Sequence, residues 1–172
     1  MIRKVAFPKA LLAGAAGAVA WEAAARLLGL LLGSPLFDIV HLLGTLFAPD
    51  ASPFLWWPVG MVLHMLVGAI WAVFYAYFFW SSLDLKPWQQ GLVFSLLPLL
   101  LATFVMRPQL ELMHPLVLAG GLPFSCLYGM EGGRRALAGI TLGHLIWGAA
   151  MGALYIRPSA LRRGRHPRLA MR

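Results

Sequence analysis

A chain of 172 residues that is 60% hydrophobic and 12% charged lacks the surface of a soluble domain, in which about 25% of residues are charged. Nor can a core of this size hide so much apolar side chain, and the mean hydropathy of +0.77 makes lipid the natural solvent. The net charge is +8, but the basic residues gather at the two ends, which suits a membrane face and argues against nucleic acid.

Residues 1–9 carry Arg3, Lys4 and Lys9 and no acid. From Ala10 to Leu32 only Glu22 and Arg26 are charged, which predicts a first helix able to cross about 30 Å of hydrocarbon. The rival reading is a signal peptide, with Arg3 and Lys4 as its basic end, Ala10–Val19 as its apolar run and Ala18-Val19-Ala20 as its cleavage site. The apolar run continues well past that point, which favours a retained helix. Gly33-Ser34-Pro35 ends it. Leu36–Phe47 is apolar but too short to span, and predicts an interfacial or re-entrant segment. Ala48–Pro53 is turn chemistry, and Trp56 and Trp57 fall where an aromatic belt would sit. A second helix is expected from Pro58 to Trp80. Ser81–Trp88 is a polar turn. A third helix should run from Gln89 to Met106, kinked at Pro98. Residues 107–135 mix polar points with apolar runs and read as partly packed on the membrane surface. The single cysteine, Cys126, lies there; it excludes an intrachain disulfide and reads more simply as a small apolar loop residue than as a reactive thiol. A fourth helix is expected from Ala136 to Ile156, followed by an acid-free tail with Arg157, Arg162, Arg163, Arg165, Arg168 and Arg172.

One pattern occurs twice. His64, Gly68, Ala69 and Tyr75 return as His144, Gly148, Ala149 and Tyr155, each 80 positions later. Arg26 and Arg107 correspond at 81. The pattern predicts an all-α, integral membrane four-helix bundle built from two parallel helix–surface segment–helix repeats, residues 1–85 and 86–160, with 161–172 as a basic cytoplasmic tail. Each half crosses twice, so the relating axis should lie along the membrane normal. Placing both termini inside puts Arg3, Lys4, Lys9, Lys86 and the six tail arginines on the cytoplasmic side and leaves Arg26, Arg107, Arg134 and Arg135 outside. The positive-inside rule favours that arrangement, with Arg134 and Arg135 standing against it.

Residues four apart on a helix share a face. His64, Gly68, Ala72 and nearby Tyr75 make one stripe; His144, Gly148 and Gly152, with Tyr155 beyond, make another. Small residues at this spacing let helices approach closely in lipid, and the stripes predict a seam between the second and fourth helices. The histidines are not needed for packing. Ionisable groups in a membrane face the bundle interior and have partners. Arg26 should lie at their level, with Glu22 one turn deeper as its i,i+4 partner and Arg107 at the rim. Glu22, Arg26, His64 and His144 then form either a network that locks the halves together or a proton-responsive ligand site, histidine being the side chain that titrates near neutral pH.

Two facing histidines also suit a bis-His haem, but no further pair exists in the spans, and the expectation is no cofactor. Zinc is less suited still, because matched Cys or clustered acids are missing. Glu111 and His114 read as a solvated polar face, and His41 as interfacial. With no Gly-rich phosphate loop, no Ser-His-Asp pattern and no carboxylate pair in a span, nothing points to an enzyme. The arginine tail should bind anionic lipid at about 1 kcal/mol per basic residue near the surface. Homo-oligomer or larger complex is left open, and a small structural subunit or assembly factor is the alternative to a pH-responsive binding or transport-related module.

The Gly/Ala-rich stretch Gly14–Trp21, Leu63-His64 with Gly68 and Tyr75, and Gly143-His144-Leu145-Ile146-Trp147 resemble the small, uncharacterised bacterial inner-membrane proteins typified by YagU. The resemblance implies a four-span inner-membrane protein associated with acid tolerance. It carries no catalytic residues over.

Overall fold

The computed structural model describes residues 5–32, 38–80, 82–121 and 133–155, without the side chains of Arg107, Glu111 and 133–136. Cys126 and the arginine tail lie outside the described residues. Seven α-helices are described: α1 (Phe7–Leu31), α2 (Ile39–Thr45), α3 (Pro53–Phe74), α4 (Pro87–Leu101), α5 (Arg107–Met113), α6 (Pro115–Leu118) and α7 (Gly133–Leu154). Two π-helical turns, Tyr75–Phe79 and Ala102–Met106, extend α3 and α4. Proline opens α3, α4 and α6, where its missing N–H costs nothing and its φ suits the first turn.

Four rods are long and apolar enough to cross a membrane: Phe7–Leu31, Pro53–Phe79, Pro87–Leu110 and Leu137–Leu154. Apolar side chains on their outer faces, among them Leu12, Leu30, Phe54 and Phe78, are more than two-thirds exposed, a surface that suits lipid. The chain is a multi-pass α-helical membrane protein. The second span begins at Pro53, five residues before the sequence expectation, because Pro58 is accommodated inside the helix.

The rods pack in the order α3, α1, α7, α4. Each neighbouring pair is antiparallel. A Cβ on Gly14 of α1 would strike the Gly68 carbonyl and Ala72 of α3, and one on Gly91 of α4 would strike Gly148 and Gly152 of α7. The two small-residue stripes therefore close α1 on α3 and α4 on α7; they do not form the predicted seam between α3 and α7. Periodicity identified the faces, but the partners that also lack side chains, Gly14 and Gly91, sit on the other two rods.

Between the halves, α1 and α7 lock reciprocally. A Cβ on Gly17 would meet the Trp147 indole, and one on Gly143 would meet the Trp21 indole. Each helix thus supplies a notch and, four residues on, the indole that fills the other's notch. The Trp147 Nε1–H donates to the Gly14 carbonyl at 3.1 Å, which satisfies its polar end inside the bundle. At the other end, Tyr75 and Tyr155 are fully buried and meet with ring centroids 6.0 Å apart, and Tyr155 Oη accepts from the Ala6 N–H at 3.3 Å.

The α3–α4 side is different. These two rods scarcely touch, except through Trp71 against Phe94 and the π turn at Tyr75–Phe79. By the 80-residue spacing, Leu63 and Val67 stand in α3 where Gly143 and Trp147 stand in α7. Counting from Gly91 as from Gly14, Phe94 and Pro98 stand in α4 for Gly17 and Trp21. The notches and indoles are missing on this side, and the helices part there.

The segment α2 packs antiparallel on the start of α3: a Cβ on Gly60 would strike the Val40 carbonyl, and one on Gly44 the Trp56 carbonyl. Asp38 caps it, accepting from the His41 N–H at 2.8 Å.

A candidate site between the halves

Where α3 and α4 part, a half-open cavity of about 280 Å³ forms. His64 and Trp71 of α3, Pro98 of α4, and Ile140, His144 and Trp147 of α7 line its walls. Ile39 and Leu42 of α2 with Gln109 and Leu110 of α5 close it at the end away from the Tyr75–Tyr155 pair.

Glu22 and His64 lie on the facing surfaces of α1 and α3, both buried. Glu22 Oε1 and His64 Nδ1 approach to 3.2 Å but are off the alignment of a hydrogen bond. The contact is electrostatic, an ion pair whenever the imidazole is protonated. Neither atom has another partner, so each depends on the other for compensation in a low-dielectric setting.

His144 Nδ1 lies 2.9 Å from the Ile140 carbonyl. A carbonyl only accepts, so Nδ1 carries the proton. Trp21 touches both imidazoles, with ring centroids 4.9 Å from His64 and 4.6 Å from His144. The duplicated histidines thus come to one place, joined by an indole from α1.

Arg26 is not part of this group. It is exposed, and its guanidinium sits 5.6 Å from the ring centroid of Trp57. A long cationic side chain near a helix end extends toward the interface and gains there from an aromatic face; the short Glu22 stays inside. The expected Glu22–Arg26 pair is replaced by Glu22–His64. Arg107 opens α5, and its side chain lies outside the described residues.

His114 differs from its expected solvated setting. It is fully buried, because α6 begins there and turns the ring inward against α2. Its Nδ1 accepts from the Leu116 N–H at 3.2 Å, which puts the ring proton on Nε2; that atom donates to the Leu42 carbonyl at 2.9 Å, with Thr45 Oγ1 at 3.4 Å. The ring pins α2 to α6 over the cavity. The sequence signal was present: a histidine directly before Pro115 is in N-cap position. Glu111 lies beside it in sequence, with its side chain outside the described residues. His41 is half-buried against Trp56, with ring centroids 4.4 Å apart.

The site does not suit haem. A bis-His haem needs the iron between two imidazole nitrogens, whereas here the Trp21 indole lies against both rings, with centroids 4.9 Å from His64 and 4.6 Å from His144. Among the described residues no cluster of three His, Cys, Asp or Glu could hold a metal.

No family model, curated protein or solved structure matches this chain.

Proposed function

We propose that this protein is a bacterial inner-membrane binding module, related to the YagU-like proteins, with four spans, both termini cytoplasmic and a proton-responsive site between two duplicated halves. Arg3, Lys4, Lys9, Lys86 and the arginine tail lie on the inner face and hold anionic headgroups. The module binds and does not catalyse. One observation carries the reading: Glu22, His64 and His144 are buried together beside an apolar cavity. Packing alone would be met at lower cost by apolar side chains, because ionisable groups are expensive at this depth. Protonation of either imidazole changes the charge at the cavity wall and, through the shared Trp21, the contact between halves.

Trp21 is a built-in reporter, since a protonated imidazole against an indole quenches its fluorescence. The Trp21 contribution, taken as the difference between the protein and Trp21→Phe in lipid nanodiscs, should fall as pH is lowered and an imidazole takes up a proton. It should lose that dependence in His64→Gln plus His144→Gln. Emission that ignores pH, or that responds equally in the double variant, would count against the proposal. A reporter fused to the C-terminus should be active only in the cytoplasm.

A further inference from the structure

The His144 imidazole is held in one tautomer, and the carboxylate beside His64 biases that ring the same way. The Ile140 carbonyl requires a proton on His144 Nδ1, and the Glu22 carboxylate favours one on His64 Nδ1. In each neutral ring the lone pair is therefore on Nε2, and among the described residues neither Nε2 has a hydrogen-bond partner. Thr103, also on the wall, donates its hydroxyl proton to the Leu99 carbonyl at 2.8 Å and offers only lone pairs. Gln109 has N–H to give, but it is exposed at the rim. On this wall the two imidazole nitrogens are acceptors without a partner among the described residues, and an acceptor left unmet in an apolar setting is costly.

The mouth opens toward lipid. Val67, Leu101, Val105 and Met106 line the cavity and are also exposed on the outer surface of the bundle. A ligand arriving through hydrocarbon is uncharged, because an ion pays heavily to cross it. Trp71 and Trp147 favour a flat body. One water needs about 10–15 Å³ of such space, so about 280 Å³ has room for a ring with a short tail.

We propose that this cavity binds a lipid-soluble phenol, its ring between Trp71 and Trp147 and its hydroxyl proton given to Nε2 of His64 or His144. The assignment rests on the binding-module reading and specifies its ligand class. The test uses the full chain in detergent with isotope-labelled histidine, titrated with para-butylphenol and with butylbenzene, which has the same body but no donor. The phenol should shift the Nε2 resonances of His64 and His144 saturably; butylbenzene should bind about tenfold more weakly, the worth of one hydrogen bond, and leave Nε2 unmoved. Val67→Phe, which narrows the mouth without touching either imidazole, should abolish phenol binding while the Trp21 pH response persists. Equal affinity for both compounds, no saturable shift, or undiminished binding in Val67→Phe would overturn the assignment. A pH-responsive Trp21 with no phenol binding would remove the ligand class alone; phenol binding with a pH-blind Trp21 would remove the proton-responsive reading and leave the site.

Discussion

At the scale of single residues, burial decides which polar groups find one another. Glu22 and Arg26 are one turn apart on α1, so helical spacing alone pairs them. Length separates them: Arg26 reaches Trp57 and Glu22 turns to His64. Glu22→Ala should leave His64 Nδ1 buried without a partner and cost about 1–3 kcal/mol, read as a lower unfolding midpoint in detergent. Arg26→Ala should change that midpoint by under about 1 kcal/mol. His114 invites a sharper test because its two ring nitrogens serve different elements. His114→Asn should keep the acceptor for the Leu116 N–H but lose the reach to Leu42. Amide hydrogen exchange in α2 should then quicken about as much as in His114→Ala, while the start of α6 stays protected. Equal loss at both places would show that the ring is only filler.

At the scale of elements, the small residues carry the architecture. Both stripes, Gly68 with Ala72 and Gly148 with Gly152, were visible as four-residue spacings, but spacing names a face and not its partner. The partners are Gly14 and Gly91, because only where both backbones are bare can they come so close. Gly91→Ala would put a methyl into the α7 backbone at Gly148, which no side-chain rotation relieves, and should destabilise by about 1–3 kcal/mol. The Gly17–Trp147 and Gly143–Trp21 pairs were equally present as Gly-x-x-x-Trp on two distant helices, yet nothing in either segment alone says that they interlock. The short apolar stretch around α2 was legible as non-spanning. That it closes a cavity depends on Gly44 and Gly60 meeting across chain and on His114, 72 positions from Leu42.

At the scale of the molecule, the two helix pairs meet along one closed seam and one open one. The closed seam is α1 on α7; the open one, between α3 and α4, is where Val67 and Pro98 replace indoles and the cavity forms. If the halves are self-sufficient pairs joined at one seam, a chain cut between Leu85 and Lys86 and expressed as two pieces should reassemble and co-purify. Gly17→Leu, which fills the notch for Trp147, should abolish that reassembly more than it destabilises the intact chain, where the linker holds the halves at high local concentration. Pieces that never associate would mean that the halves do not fold as units.

The sequence by itself determined the solvent, the helical class, the four spans and the residues worth suspecting, because these follow from local apolarity, length and period. It also placed both histidines at one depth, since equal spacing from equivalent helix starts leaves little choice. The tertiary structure decided who meets whom: Glu22 with His64, both imidazoles with Trp21, the glycine stripes with α1 and α4, and a cavity on one side only. Those outcomes depend on how side-chain volumes match between segments far apart in the chain. No local pattern encodes that match, and a single indole or glycine in the wrong place would change it.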